Sequence, residues 1–331
     1  MYKGFWGKIK KPIFALAPLA DVTDPALRSL VARYSKPDVI WTEFVSADGL
    51  FLGGYDALLP DLNYTEVERP IIAQFFTSKP AMMEKASRLA LDLGFDGVDI
   101  NMGCPDKSVE KQCAGASLIK NHNLAAELIS SAKKGASSIS KQIPVSVKTR
   151  IGYNTDEIDS WITMLLQQDI PALTVHLRTR KEMSDVPAHW DKLAKVVGIR
   201  DSINKETLII GNGDVLSLAD GMEKINLTGA DGVMLGRAIF GNPWLFENKD
   251  KIRIGEKIPN CDKNKDEKLM ALRDLLLSFE TMVGNRKNFS VMKKHFKSYI
   301  SGWDNAKDIR LKLMQTSSYS EATEIINNSL N

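Results

Sequence analysis

Only three cysteines occur in the 331-residue chain, Cys104, Cys113 and Cys261. A number this small and odd builds no disulfide framework, so the fold must rest on a packed core, and a reducing, cytoplasmic setting is expected. Histidine is almost as scarce, with four residues. Neither residue type shows a CxxC or HExxH spacing, which argues against a metal centre. No apolar run approaches the ~18 residues that cross a bilayer. The N-terminal stretch MYKGFWGKIKKPIFALAPLA has basic residues before a short apolar segment, as a secretory leader would. Pro12 and Pro18 bracket that segment like a strand, however, and the DVTD that follows looks like a helix cap rather than a cleavage site. No GxGxxG follows the first strand, which counts against an open dinucleotide-binding sheet.

What is present is a repeating alternation. Short β-rich apolar runs fall near residues 13–17, 39–43, 71–75, 97–100, 145–148, 172–176, 208–211 and 232–235. Amphipathic stretches such as PALRSLVARY, MMEKASRLALDLG, LAAELISSAKKG and IDSWITMLLQQD lie between them. Strand–helix alternation implies right-handed crossovers and a parallel sheet. Eight units in about 240 residues predict a closed (β/α)8 TIM barrel. After Pro243 the strand signal stops. A segment at 248–265 rich in Lys, Asn and Gly leads into helical patterns to the end. Charge is uneven as well. The net charge is +3 overall, but residues 284–312 hold eight basic side chains against Asp304 and Asp308. Such a run is either a solvated helix face or a polyanion-binding surface.

In a parallel barrel, chemistry collects at the C-terminal ends of the strands. Here those ends carry Pro18, Glu43, Gln74, Asn101 with Cys104, Lys148 with Arg150, His176 with Arg178, Asn212-Gly213-Asp214, and Gly236-Arg237. The glycine turns after strands seven and eight can offer backbone N–H groups to a phosphate, with Arg237 as a fixed cation. A tight turn is the plainer reading of either one alone. Lys148 is placed to stabilise an anion that develops in a reaction, or to form a salt bridge. His176 is equally readable as a donor to a cofactor oxygen or as a satisfied core histidine. Gln74 can present an amide to an amide-like ring edge. Cys104, in a Gly-Cys-Pro loop with Lys107 behind it, is a thiol at the barrel mouth and a candidate general acid. Cys113 and Cys261 carry no assigned role.

The segments APLADVTD, DINMGCPDKSVEKQCAGASLIK, VSVKTRIG, TVHLRTR, IIGNGD and GVMLGRAIFGNPWLF, in this order, resemble the tRNA-dihydrouridine synthases of the bacterial type. The resemblance implies a catalytic barrel over residues 1–246 and a helical tRNA-binding domain over 247–331. It implies FMN as cofactor, NADPH or NADH as reductant, and reduction of the C5–C6 double bond of particular tRNA uridines. FMN contacts then fall on Pro18, Leu19, Ala20, Gln74, Lys148, His176, Asn212, Gly213, Asp214, Gly236 and Arg237. Cys104 would be the proton donor to C5. Asn101 and Arg178 would contact substrate, and Gly115–Ala116 would lie in a flexible segment that closes over the base. Lys293, Lys294 and Lys297 are the expected tRNA contacts, with His295 available to stack or to bind phosphate. A monomer is expected. The chain departs from the family pattern at Leu19, usually methionine, and at Asp21 and Leu177, usually glycine. Two other functions share parts of this pattern. A small-molecule flavin reductase of the dihydroorotate or dihydropyrimidine dehydrogenase type would not need the basic tail, and a non-catalytic tRNA-binding protein would not need Cys104, Lys148 and His176 together.

Overall fold

The computed structural model describes residues 1–258 and 263–330; Cys261 lies outside them. Eight strands form one closed parallel barrel in sequence order. They are β1 (Ile13–Leu16), β2 (Val39–Ser46), β3 (Ile71–Phe76), β4 (Gly97–Met102), β5 (Val145–Arg150), β6 (Ala172–His176), β7 (Leu208–Asn212) and β8 (Gly232–Leu235). Each falls where the sequence places a strand, and β2, β3, β4, β5 and β7 run slightly further toward the mouth than the apolar pattern alone indicates. The principal helices of the barrel are α1 (Pro25–Tyr34), α2 (Pro80–Asp92), α3 (His122–Gly135), α4 (Leu193–Ile203) and α5 (Leu218–Thr228). Their starts follow ordinary capping chemistry. Asp24 caps α1 by accepting from the Leu27 N–H, with Pro25 at the first helical position, and Ser217 caps α5.

Strand side chains alternate between the helix layer and the barrel interior. On β4, Val98, Ile100 and Met102 join the outer core with the helices, which leaves Asp99 and Asn101 facing inward. The interior changes character along the barrel axis. Its floor is apolar: Ile13, Val39, Trp41, Ile72, Leu208, Ile210 and Met234 pack together. Trp6, from the N-terminal turn Gly4–Lys8, packs beside Trp41 with ring centroids 6.0 Å apart. Above that floor the inward positions become polar, because β3, β4 and β5 set Gln74, Asp99 and Ser146 side by side in register.

The longer helices after β8 are α6 (Lys265–Met282), α7 (Lys293–Tyr299), α8 (Ala306–Gln315) and α9 (Tyr319–Leu330). A capping box of Asn264 with Glu267 starts α6. The tail does not hang free. One hydrophobic cluster runs from the barrel helices through Phe246 into Leu272, Phe279, Phe296 and Ile326. Polar links reinforce it, with Tyr34 donating to Asp274 at 2.8 Å and Arg33 to Ser278 at 2.7 Å.

Candidate active site

A cleft of about 400 Å³ opens at the C-terminal ends of the strands. All the residues expected to hold a cofactor line it, and so do Cys104, Asn101 and Arg178. Lys293, Lys294 and Lys297 do not. They lie on α7, where Lys297 is exposed and the other two are half-buried.

One side of the cleft brings together two guanidiniums, a carboxylate and two glycine turns. Asp214 gathers the cations: Arg178 and Arg237 both bond its carboxylate, Arg237 at 2.6 Å, and Ala188 donates its N–H at 2.9 Å. Burial pushes the Asp214 carboxyl up, but the Ala188 N–H and the two guanidiniums outweigh it and hold the group below its ordinary range. Gly213 takes φ +125°, and a Cβ there would fall 2.8 Å from Ala188 Cβ, so only glycine fits the turn. At Gly236 the nearest atoms to an added methyl would be Ala17 Cβ and Leu19 Cδ2, both at 3.7 Å. Protein packing does not require glycine there, yet its absence of a side chain keeps the cleft open beside Arg237. Asn212 ties β7 to β8 under this turn through its Nδ2 to the Met234 carbonyl at 2.9 Å.

Around the rest of the mouth, on β4 to β6, sit the groups that can move protons or stabilise charge. Burial lowers Lys148 to about 8, with Arg150 adding to the effect. Burial raises the Cys104 thiol, which keeps it protonated at neutral pH and suits an acid better than a nucleophile. Burial, then the cations Arg150, Lys148, Arg178 and Arg237, drive His176 well below its usual range, so its ring is neutral. Its Nε2 lies 3.1 Å from Arg178 Nη1. A guanidinium can only donate, so Nε2 is the acceptor and the ring proton sits on Nδ1.

The Cys104 loop is held from both ends. Asn101 Oδ1 accepts from the N–H groups of Gly103 at 3.1 Å and Cys104 at 2.9 Å. Ala116 N–H donates to the Cys104 carbonyl at 2.9 Å. This corrects the expectation of a flexible closing segment at Gly115–Ala116: both residues are buried within a short turn, Gly115–Lys120, that buttresses the cysteine. Gly115 has φ +61°, and a Cβ would sit 2.7 Å from the Cys104 carbonyl oxygen. Gly115→Ala is therefore expected to cost about 1–3 kcal/mol in urea unfolding and to shift the alkylation rate of Cys104.

Other expectations also change. His295 does not face solvent: it is 2% exposed and burial lowers it to about 3, so it offers no cation to a phosphate. Leu177 is fully buried in the outer core and does not narrow the cleft. Asp21 holds φ +57°, the left-handed region that glycine takes most easily and aspartate tolerates. Glu43 does not line the cleft; it bonds Lys287 Nζ at 3.1 Å. Arg150 and Phe44 do line it, although the sequence gives neither a role. Arg150 follows Lys148 by two on β5 and thus shares its face. It is anchored on the carbonyls of Gly103 at 2.8 Å and Thr179 at 3.0 Å.

A protonated thiol, a half-buried lysine and two glycine turns beside Arg237 thus meet around one barrel mouth, the place where a parallel barrel carries its chemistry. Residues 15–330 match the family model described as dihydrouridine synthase. The chain belongs to the dihydrouridine synthase family. It is 37% identical over 330 residues to a probable tRNA-dihydrouridine synthase of Staphylococcus epidermidis, covering 98% of this chain and 96% of that one. It is 38% identical over 329 residues to a probable tRNA-dihydrouridine synthase 2 of Bacillus subtilis, with the same coverage. Among solved structures, a morphinone reductase variant in complex with tetrahydroNAD shares the barrel fold, with a TM-score of 0.51 at 13% identity over 78% of this chain and 91% of that one. No helix of the described residues is long and apolar enough to cross a membrane.

Proposed function

We propose that this enzyme binds FMN in the cleft, draws electrons from NADPH or NADH, and reduces the C5–C6 double bond of uridine in tRNA, with Cys104 as the acid. The observation that carries this reading is a thiol kept protonated by burial in the same cleft as a half-buried lysine and the glycine turns beside Arg237. FMN, when bound there, would supply hydride chemistry at C6.

The chain's own residues do the rest. Arg237 and the Gly213 and Gly236 turns hold the phosphate. Gln74 reads the ring edge. Lys148 offsets negative charge on the ring system. Asn101 and Arg150 stand where the uracil edge would lie, with Arg178 behind them. Cys104 gives its proton to C5, so that each uridine gains two hydrogens and the thiol is reprotonated from solvent. The uridine must leave its stack to reach the barrel mouth, at a cost of a few kcal/mol, and phosphate contacts on the helical part from residue 247 onward offset this. The enzyme works in this reading as a cytoplasmic monomer.

The test uses purified protein, FMN, tRNA lacking dihydrouridine, and either reductant. The expected result is a gain of two hydrogens at defined uridines by mass spectrometry. Flavin-loaded protein that leaves the tRNA unchanged with both reductants would overturn the reading. Changing Lys293, Lys294 and Lys297 together to alanine is expected to weaken tRNA binding and flatten its salt dependence by about 0.7–0.9 in log–log slope for each phosphate no longer engaged, while reductant oxidation persists. An unchanged slope would move the RNA surface elsewhere.

A further inference from the structure

Asp99 is fully buried under the cleft, where its charge favours the ammonium of Lys148, and it has no assigned role above. Its two oxygens have different partners. Oδ1 accepts from Ser146 Oγ at 2.5 Å and Oδ2 from Gln74 Nε2 at 2.7 Å. The line of bonds then continues upward. Gln74 Oε1 lies 3.4 Å from Asn101 Nδ2, and Asn101 Oδ1 accepts from the N–H groups of Gly103 and Cys104. One end of this line is a carboxylate at the polar layer of the barrel. The other end is the backbone of the cysteine loop.

Each carboxamide in such a line can be turned either way without changing its shape. What decides is the two ends, neither of which has a choice. An ionised carboxylate can only accept. Gln74 must therefore turn its NH2 to Asp99 and its oxygen to Asn101. Asn101 must then turn its NH2 to Gln74 and its oxygen to the loop, where two N–H groups need it. At the far end the backbone N–H groups can only donate, so both ends demand the same direction. Burial raises Asp99 to about 6, which leaves it ionised at neutral pH.

The geometry points to Asp99 as a positioning residue: through Gln74 and Asn101 it sets the direction of both amides, and so both the donor–acceptor order shown to the bound ring and the seat of Cys104. This rests on the proposed FMN reading for its ring half and is independent of it for its cysteine half. Gln74, with its NH2 toward the interior and its oxygen toward Asn101, presents one order of polar atoms to an amide-bearing ring edge and rejects the reverse.

The experiment uses the full chain with Cys113 and Cys261 changed to serine, so that Cys104 is the single thiol. Asp99→Asn keeps the size and removes the fixed direction, because its own amide can turn. In flavin-free protein, its rate of iodoacetamide alkylation at Cys104 is expected to differ severalfold from the parent. Fluorescence titration with FMN is expected to show affinity about tenfold weaker, the equivalent of about 1.4 kcal/mol. Gln74→Glu alone sets two carboxylates face to face and is expected to disturb alkylation at least as much. Combining the two restores the direction. The new amide at position 99 then donates to the new carboxylate at position 74, whose second oxygen still accepts from Asn101. The double variant should therefore return to the parent alkylation rate while keeping weak FMN binding, because a carboxylate at position 74 offers the ring no N–H.

A role in packing alone predicts that the two losses add. Additive losses in the double variant would overturn the proposal, as would an Asp99→Asn protein with parental alkylation and FMN affinity. If Asp99→Asn does not fold, the comparison of Gln74→Glu with the double variant decides the same question. A parent protein that binds no FMN would sink the functional reading and leave the alkylation result standing.

Discussion

Changing Cys104 to alanine is expected to lower dihydrouridine formation by about 10²–10⁴-fold, the usual contribution of a positioned general acid, with flavin binding retained. The retained binding follows from the layout: Asp214, Arg237 and the two glycine turns follow β7 and β8, while the thiol follows β4, on the far part of the closed barrel. Removing the thiol leaves those groups untouched. Single-turnover mixing of reduced enzyme with tRNA, read by mass spectrometry, isolates the affected step. Normal turnover in Cys104→Ala would remove the thiol from the chemistry. A serine at this position should recover little, because a hydroxyl is a much weaker acid than this half-buried thiol. That thiol is itself raised above its ordinary value by burial, so its thiolate is scarce at neutral pH.

The second large effect concerns Lys148. Burial lowers its ammonium to about 8, so the positive charge is complete below that value and is lost as pH rises through it. A step that needs the charge should run at a steady rate at neutral pH and fall tenfold per pH unit well above 8. Lys148→Met is expected to cost about 10²–10³-fold at pH 7, the scale of losing one preorganised electrostatic contact, and to abolish that alkaline fall. Lys148→Arg keeps a charge through the same range, so its profile should be flat to higher pH even though the planar guanidinium fits the site less well. A fall at the same pH in Lys148→Met would assign the titration to another group.

The barrel was legible in the sequence because its buried parallel strands are short apolar runs and its longer crossover helices have an apolar stripe. The cleft was legible because its residues cap those strands at one end, and every capping position from Pro18 to Arg237 used for a cofactor lines it. What the sequence concealed is of one kind: which way a side chain faces in three dimensions. His295 lies among basic residues in the chain, yet the helix turns it inward to face Phe240. Gly115 looks like a hinge, yet its left-handed backbone is there to pass close under a carbonyl. Lys287 and Lys294 look like free cations, yet Lys287 is tied to Glu43 and to Asp61 at 3.5 Å, and Lys294 faces Asp21, Asp24 and Glu43. Strand-end reading already set Arg150 beside Lys148 without a role, and period-two alternation could have given Asp99 a place beneath Asn101, because residues two apart on a strand share a face.

The apolar floor has a kinetic meaning. With Trp6 and Trp41 stoppering the lower end of the barrel, visitors to the reaction chamber enter and leave from above. In the proposed reaction, a dinucleotide and a nucleic acid would each have to reach the same flat ring through one doorway, and so would have to take turns. Initial-rate plots with both varied should therefore give parallel lines.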